Sequence, residues 1–234
     1  DVLELGLCGT EEMYFAVSHY ALGGGIQVTA SHNPINFNGL KMVKSKSRPL
    51  DPGTDFLAIK HYAEKLAKNT LLRHRKSCGL KKNISNNSRK AYIEKIISLV
   101  DVASFRNMKI VVNSGNGAAG PTFDAIEEVL KYSGSRNNFV KVNHSPDSTF
   151  PNGIPNPMLK ENQNSTSEAV VRESADLGIA FDGDFDRCFF FDEHGRFVQG
   201  EYIIGLLADL FLIKNKNETI VHDPRVIWNI KDVI

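Results

Sequence analysis

Cysteine is scarce in this sequence, and nothing in its spacing pairs what there is. Cys8, Cys78 and Cys188 form an odd set without a CxxC repeat. That excludes a disulfide framework or a thiolate zinc site as the organising feature, and it fits a reducing compartment. Net charge is missing as well: the formal balance is +1. Neither nucleic acid nor an anionic membrane surface is therefore expected as a partner. Lys and Arg do gather over residues 68–90, but among Ser and Asn with no interleaved aromatics, which reads as a solvated connector. No apolar run approaches the ~20 residues that a membrane helix needs, and no basic-then-apolar leader opens the sequence. A cytoplasmic, membrane-free setting is expected. The pattern carries no signal for oligomeric state.

What is present is ordinary globular material, 41% apolar and 24% charged over 234 residues. This is enough for one large or two modest domains. "DVLELGLC" and "GGIQVTAS" are β-rich and flank "TEEMYFAVSHYAL", whose apolar residues recur at helical spacing with Thr10 as N-cap. Strand, helix and strand predict a βαβ unit. "DFLAIKHYAEKLAKN" predicts a second amphipathic helix. After the polar stretch, helix, strand, Gly-rich turn, helix, strand, helix and two strands are expected as far as Gly195. A helix over "GEYIIGLLADLFLIKN" and a strand over "ETIVHDP" follow. This alternation argues α/β with largely parallel sheets. The divisions expected are 1–80, 81–196 and 197–234. Both termini read as interrupted elements, so an internal segment of a longer protein is expected.

The run "GIAFDGDFDRCFFFDE" places Asp182, Asp184 and Asp186 two residues apart between apolar stretches. On a flat strand the outer two would lie ~13 Å apart, too far to share an ion whose oxygen ligands sit ~2.0–2.1 Å away. The segment is expected to curl, with Gly183 supplying backbone freedom. Gathered carboxylates then repel or protonate unless a divalent cation sits between them. The plainer alternative is an acidic surface turn, against which both flanks are apolar. A calcium loop running to Glu193 would need glycine where Arg187 stands.

A second loop, "VTASHNPINFNGLKMV", leaves a β run at Thr29, and Pro34 breaks regular continuation. Ser31 is expected at the tip beyond a strand's C-terminal end, where open α/β sheets present ligands. His32, Asn33 and Lys41 lie nearby. An ordinary turn, with Ser31 and Asn33 bonded to local backbone, remains the alternative. No G-x-S-x-G elbow accompanies the serine, so a hydrolase nucleophile has little support. "NSGNGAAGP" fits neither dinucleotide nor P-loop patterns and is read as tight strand–helix packing behind the acidic loop.

"TASHNP", "NGLK" and "DGDFDR", in that order and with that separation, resemble the α-D-phosphohexomutases. "GTEEMYFA", "VVNSGNGAAGP" and "FPNGIPNP" bring the resemblance closest to the bacterial phosphomannomutases, across nearly the whole chain. The resemblance implies successive α/β domains: the latter part of a first, a whole second and the start of a third. It implies that Ser31 is carried as phosphoserine and that one Mg²⁺ is held by Asp182, Asp184, Asp186 and the phosphate on Ser31. It further implies interconversion of mannose 6-phosphate and mannose 1-phosphate through a hexose 1,6-bisphosphate, which also serves as activator, for GDP-mannose and surface polysaccharide synthesis. Lys41 matches a position beside the transferring phosphoryl group, or a general base whose pKa positive neighbours would depress. Arg187 matches a stabiliser of transition-state charge, and His32 a proton-transfer aid or polar support. The partner is then a small phosphosugar. Phosphoglucomutase activity, an aspartyl-nucleophile phosphatase and an inactive metal- or phosphosugar-binding remnant are the alternatives. The 234-residue segment alone is expected to be nearly inactive.

Overall fold

The computed structural model describes residues 1–68 and 79–234. Residues 69–78 of the polar connector, Cys78 included, lie outside the described residues. In chain order the elements begin with β1 (Val2–Glu4), α1 (Thr10–His19), β2 (Gly24–Val28), β3 (Leu40–Lys44) and α2 (Asp55–Lys68). Then come β4 (Lys81–Asn83), α3 (Ser85–Ile97), β5 (Lys109–Asn113), α4 (Ala119–Tyr132) and β6 (Asn138–Val142). The remainder is α5 (Asn164–Glu173), β7 (Leu177–Phe181), β8 (Cys188–Phe191), β9 (Phe197–Val198), α6 (Gly200–Lys214) and α7 (Trp228–Val233).

The main sheet has the order β6-β5-β7-β8-β9. β5 pairs parallel with both β6 and β7, while β8 and β9 extend the sheet antiparallel. Strand β5 reads KIVVN, apolar at its three central residues in succession, because both its faces are covered. Ile110 and Val112 point to one side, where they pack with Phe123 of α4. Val111 points to the other, against Ala169 and Val170 of α5, Ala180 and Phe191. The period-2 alternation of a strand thus builds two half-cores with one helix on each. Each fully buried apolar side chain there contributes roughly 1.5–3 kcal/mol of burial free energy. The α/β class expected from sequence is the class observed.

The expected opening βαβ unit does not form. β1 pairs parallel with β4, and β2 makes an antiparallel ribbon with β3, Val28 opposite Leu40. The Thr29 amide donates to the Gly39 carbonyl at 3.0 Å, which closes the β2–β3 ribbon. Thr10 is not the N-cap of α1 either. Gly9 takes that position, its amide donates to Glu12 Oε1 at 3.0 Å, and Thr10 is the first helical residue. "ETIVHDP" forms no strand among the described residues. α7 follows it instead and docks on α6, with Asn229 Nδ2 donating to the Glu201 carbonyl at 2.8 Å. Among the described residues no helix is long and apolar enough to cross a membrane.

Candidate active site

Both chemistry-bearing loops leave the C-terminal ends of strands, and they meet. After β2 the Ser31 amide donates to Thr29 Oγ1 at 2.8 Å. The Asn33 amide and side chain both donate to the Ala30 carbonyl, at 3.0 and 2.8 Å. This tight turn holds Ser31 at φ +55°, a left-handed conformation that costs a non-glycine residue about 1–2 kcal/mol. After β7 the acidic loop turns around Asp182. Its Oδ1 accepts the Asp186 and Arg187 amides at 3.2 Å each, and its carbonyl accepts the Phe185 amide at 3.2 Å. Phe185 stands at φ +61°, held by an edge-on contact with Phe181 at 4.6 Å. Non-glycine residues at positive φ in both loops mark strain that surrounding contacts must hold.

Gly183 is required for another reason than expected. Its backbone is not left-handed. A Cβ there would instead stand 3.0 Å from the Ser31 carbonyl, so glycine is the residue that lets the loops approach. Behind it, Gly117 is tighter still: a Cβ would lie 2.5 Å from the Gly183 carbonyl oxygen, which already accepts the Ala118 amide at 3.0 Å. The "NSGNGAAGP" turn packs directly on the acidic loop.

All seven residues singled out from sequence fall into one connected network. Ser31 Oγ donates to Asp184 Oδ1 at 3.2 Å and lies 3.1 Å from His32 Nδ1. Arg187 Nη2 donates to that same ring nitrogen at 2.8 Å, while its Nε meets Asp182 Oδ2 at 2.9 Å. From β3, Lys41 Nζ lies 2.6 Å from Asp184 Oδ2 and 2.5 Å from Asp186 Oδ2. One carboxylate oxygen from each of Asp182, Asp184 and Asp186 lies within 4.8 Å of the others.

The electrostatics follow from this packing. Burial raises the pKa of Asp182, and its two acidic neighbours add to the rise against the opposing Arg187. Burial pushes Asp184 the same way, but the Lys41 ammonium, with Thr10 and Thr29 as donors, outweighs it and holds that carboxyl below its usual range. Lys41 reverses the expectation. Burial lowers its pKa, yet hydrogen bonds and charge from Asp184 and Asp186 raise it overall. Its neighbours are acidic, not basic, so the ammonium is favoured.

The donor set suits a hard divalent cation: three carboxylates and a hydroxyl, all oxygen. Donors around an octahedral Mg²⁺ stand ~3–4 Å apart, close to the 4.8 Å within which these carboxylate oxygens lie, with Lys41 Nζ between Asp184 and Asp186. A cleft of about 440 Å³ opens beside Ser31, with Asn116, Asp147 and Phe150 on its far wall.

Sequence reasoning missed the residues that support this network. Thr10 Oγ1 donates to Asp184 Oδ2 at 3.0 Å. Glu11 has its pKa raised by burial first and by Asp186 second. The signal was no more than a helix start, "GTEE", with nothing local to connect it to a loop 174 positions away. A second constellation also escaped notice: Ser114 Oγ stands 3.2 Å from His144 Nδ1, whose Nε2 lies 2.8 Å from Asp124 Oδ1. Ser114 is 0% exposed. No acyl substrate reaches it, and the trio serves to tie β6 to α4.

Known proteins resemble this chain along its length. The family description "Phosphoglucomutase/phosphomannomutase, alpha/beta/alpha domain I" matches residues 1–69, and the corresponding domain II description matches residues 90–195. A phosphomannomutase of Salmonella montevideo is 49% identical over 234 residues, covering 100% of this chain and 50% of the relative. A Xanthomonas campestris protein described as "Phosphohexose mutases" is 44% identical over the same span and is likewise covered to 50%. The crystal structure of a phosphoglucomutase/phosphomannomutase family protein from Burkholderia thailandensis superposes with a TM-score of 0.75 at 26% identity, over 92% of this chain and 45% of that one. The chain spans about half the length of the curated relatives it matches.

Proposed function

Because this chain belongs to the phosphoglucomutase/phosphomannomutase family, we propose that it carries the phosphoryl-transferring part of a phosphohexomutase, with Ser31 as the carrier. The supporting observation is the 3.2 Å contact between Ser31 Oγ and Asp184 Oδ1 beside the three clustered carboxylates. In the proposed cycle phosphoserine 31 loses its phosphoryl group to the free hydroxyl of a hexose monophosphate. The P–Oγ bond breaks, a P–O bond to the sugar forms, and the proton of the sugar hydroxyl ends on Ser31 Oγ. The sugar bisphosphate reorients, and its other phosphate returns to Ser31 Oγ. A hexose 1,6-bisphosphate primes an unphosphorylated Ser31 by the second of these transfers.

Asp182, Asp184 and Asp186 are the residues that would hold Mg²⁺, which when bound draws charge off the transferring group. Lys41, favoured as an ammonium, is assigned to charge stabilisation beside Ser31, and the general-base role is not carried over. Arg187 braces Asp182 and presents its guanidinium towards the same space. His32, between Ser31 Oγ and Arg187, is assigned polar support.

Mannose phosphates are the proposed substrates on the strength of the phosphomannomutase relatives, with glucose phosphates as the alternative. Supply of mannose 1-phosphate for GDP-mannose in the cytoplasm is the corresponding setting. We divide the chain at 1–80, 81–196 and 197–234. Lys41 and Arg187 are both paired with the triad, and among the described residues no Lys or Arg lines the cleft beside Ser31. Slow turnover by the segment alone is proposed on that ground.

The test is intact mass with peptide mapping after incubation with glucose 1,6-bisphosphate and Mg²⁺. A gain of roughly 80 Da, one phosphoryl group, mapped to Ser31 and absent in Ser31→Ala supports the reading. Phosphate on Asp182 with Ser31 unmodified would replace it with an aspartyl phosphatase.

A further inference from the structure

We infer that Thr10 is a positioning residue for the aspartate loop, acting as one jaw of a clamp that α1 and α4 close on residues 183 and 184. The inference rests on the function proposed for Ser31 and the aspartates. Thr10 is 0% exposed and grips Asp184 twice. Its amide donates to the Asp184 carbonyl at 2.9 Å, and its hydroxyl donates to Asp184 Oδ2 at 3.0 Å. The first bond fixes the backbone. The second, with Lys41 Nζ at 2.6 Å from the same oxygen, sets the carboxylate rotamer that leaves Oδ1 facing Ser31 Oγ at 3.2 Å.

The other jaw is the start of α4. There the Ala118 amide donates to the Gly183 carbonyl at 3.0 Å, one peptide unit from Thr10's contact. The two jaws are joined behind the loop. Thr122 Oγ1 in α4 donates to Glu12 Oε1 at 2.5 Å, and the same oxygen accepts the Gly9 amide at 3.0 Å. Glu12 Oε2 accepts from Arg89 Nε of α3 at 3.3 Å. The result is a closed ring running Thr10, Asp184, Gly183, Ala118, Thr122 and Glu12. Glu12 and Thr122 are buried, so water does not compete for the bridging bond, and a buried unpaired partner would be costly.

A plain helix start needs none of this. Glu12 alone satisfies the Gly9 amide, and a valine at position 10 would fill the same volume. What valine lacks is the hydroxyl that orients Asp184.

The experiment compares Thr10→Val and Thr10→Ser with wild type by Mn²⁺ titration, thermal melting and Ser31 phosphorylation. Losing a hydrogen bond to a charged group is expected to weaken Mn²⁺ binding in Thr10→Val about 10-fold or more. Thr10→Ser, which restores the hydroxyl, is expected to return affinity to near wild type. If Thr10→Val does not fold, Thr122→Val carries the test, because it opens the bridge without touching the loop. Weakened Mn²⁺ binding there supports the clamp. Thr10→Val or Thr122→Val binding Mn²⁺ as tightly as wild type, with only a lowered melting temperature, would overturn it. A wild type that binds no Mn²⁺ and accepts no phosphate on Ser31 would remove the proposed function, and this inference with it.

Discussion

A single methyl group added at Gly117 tests how closely the acidic loop is backed by its neighbours. In Gly117→Ala the new Cβ would stand 2.5 Å from the Gly183 carbonyl oxygen, 2.9 Å from its Cα and 3.0 Å from its carbonyl carbon. All three are backbone atoms, so no side chain can swing away. Relief requires the loop to retreat by most of an ångström, at the expense of the Ala118 amide bond to that same oxygen. Overpacking costs typically 1–3 kcal/mol and a lost backbone hydrogen bond about 1 kcal/mol, so ~2–4 kcal/mol is expected. For a chain of this size each kcal/mol lowers the melting temperature by roughly 2–4 °C, which predicts a drop of roughly 4–16 °C. A displacement of about 1 Å at reacting atoms also costs on the order of 100-fold in rate, so phosphoryl transfer to Ser31 should fall by that factor. Thermal melting followed by circular dichroism reads the first effect and quenched-flow mass spectrometry the second. Gly23→Ala is the control, since nothing lies within 4 Å of its added Cβ. A Gly117→Ala protein that melts and transfers like the control would refute the claimed contact between the Gly-rich turn and the acidic loop.

Three further outcomes are expected. Lys41→Met removes the ammonium that sits between Asp184 and Asp186, so Mn²⁺ should bind more tightly by calorimetry while transfer to Ser31, deprived of that charge stabilisation, falls about 100-fold; weaker metal binding would contradict the competition. Phe191, fully buried beneath α5, should cost about 3–5 kcal/mol as Phe191→Ala in urea denaturation, and a loss below 1 kcal/mol would remove it from the core. The third concerns pH. Burial raises the carboxyls of Asp124 and Glu127, but Lys141, with His144 for the first and Lys131 for the second, outweighs burial and holds both below their usual range. Depressed carboxyls stabilise the fold above their unfolded values, about 3.9 and 4.3, and that stability is lost as pH falls through the lower folded values. The urea midpoint should therefore hold from pH 7 to 5 and fall below about pH 4, more steeply in wild type than in Lys141→Met; equal slopes would contradict the pairing.

Much of the fold was legible because it is locally encoded. The successive apolar residues Ile110, Val111 and Val112 need covering on both faces, and α4 and α5 carry the stripes that cover them. The α4 terminus was signalled by Gly134, left-handed at φ +85°. Failures came where pairing is decided at a distance. β1 pairs with β4 rather than β2, a choice that nothing in its three residues records, and "ETIVHDP" has strand composition but forms no strand among the described residues. At the site, the residue types were informative but their electrostatic setting was not. Lys41 was placed among cations, and the fold surrounds it with carboxylates.

By itself the sequence determined the inventory: a serine on a Pro-broken turn, three aspartates on a glycine loop, and the helical and strand periods between them. Those are properties of residue type and short-range spacing, which survive in any conformation. Only the tertiary structure decided that Ser31 faces Asp184 across 153 positions, that Gly183 is glycine for want of space, and that Thr10 holds the aspartate that the serine meets. Such contacts depend on loop closure and packing between separate elements, where distances of a few tenths of an ångström discriminate and no local pattern records them.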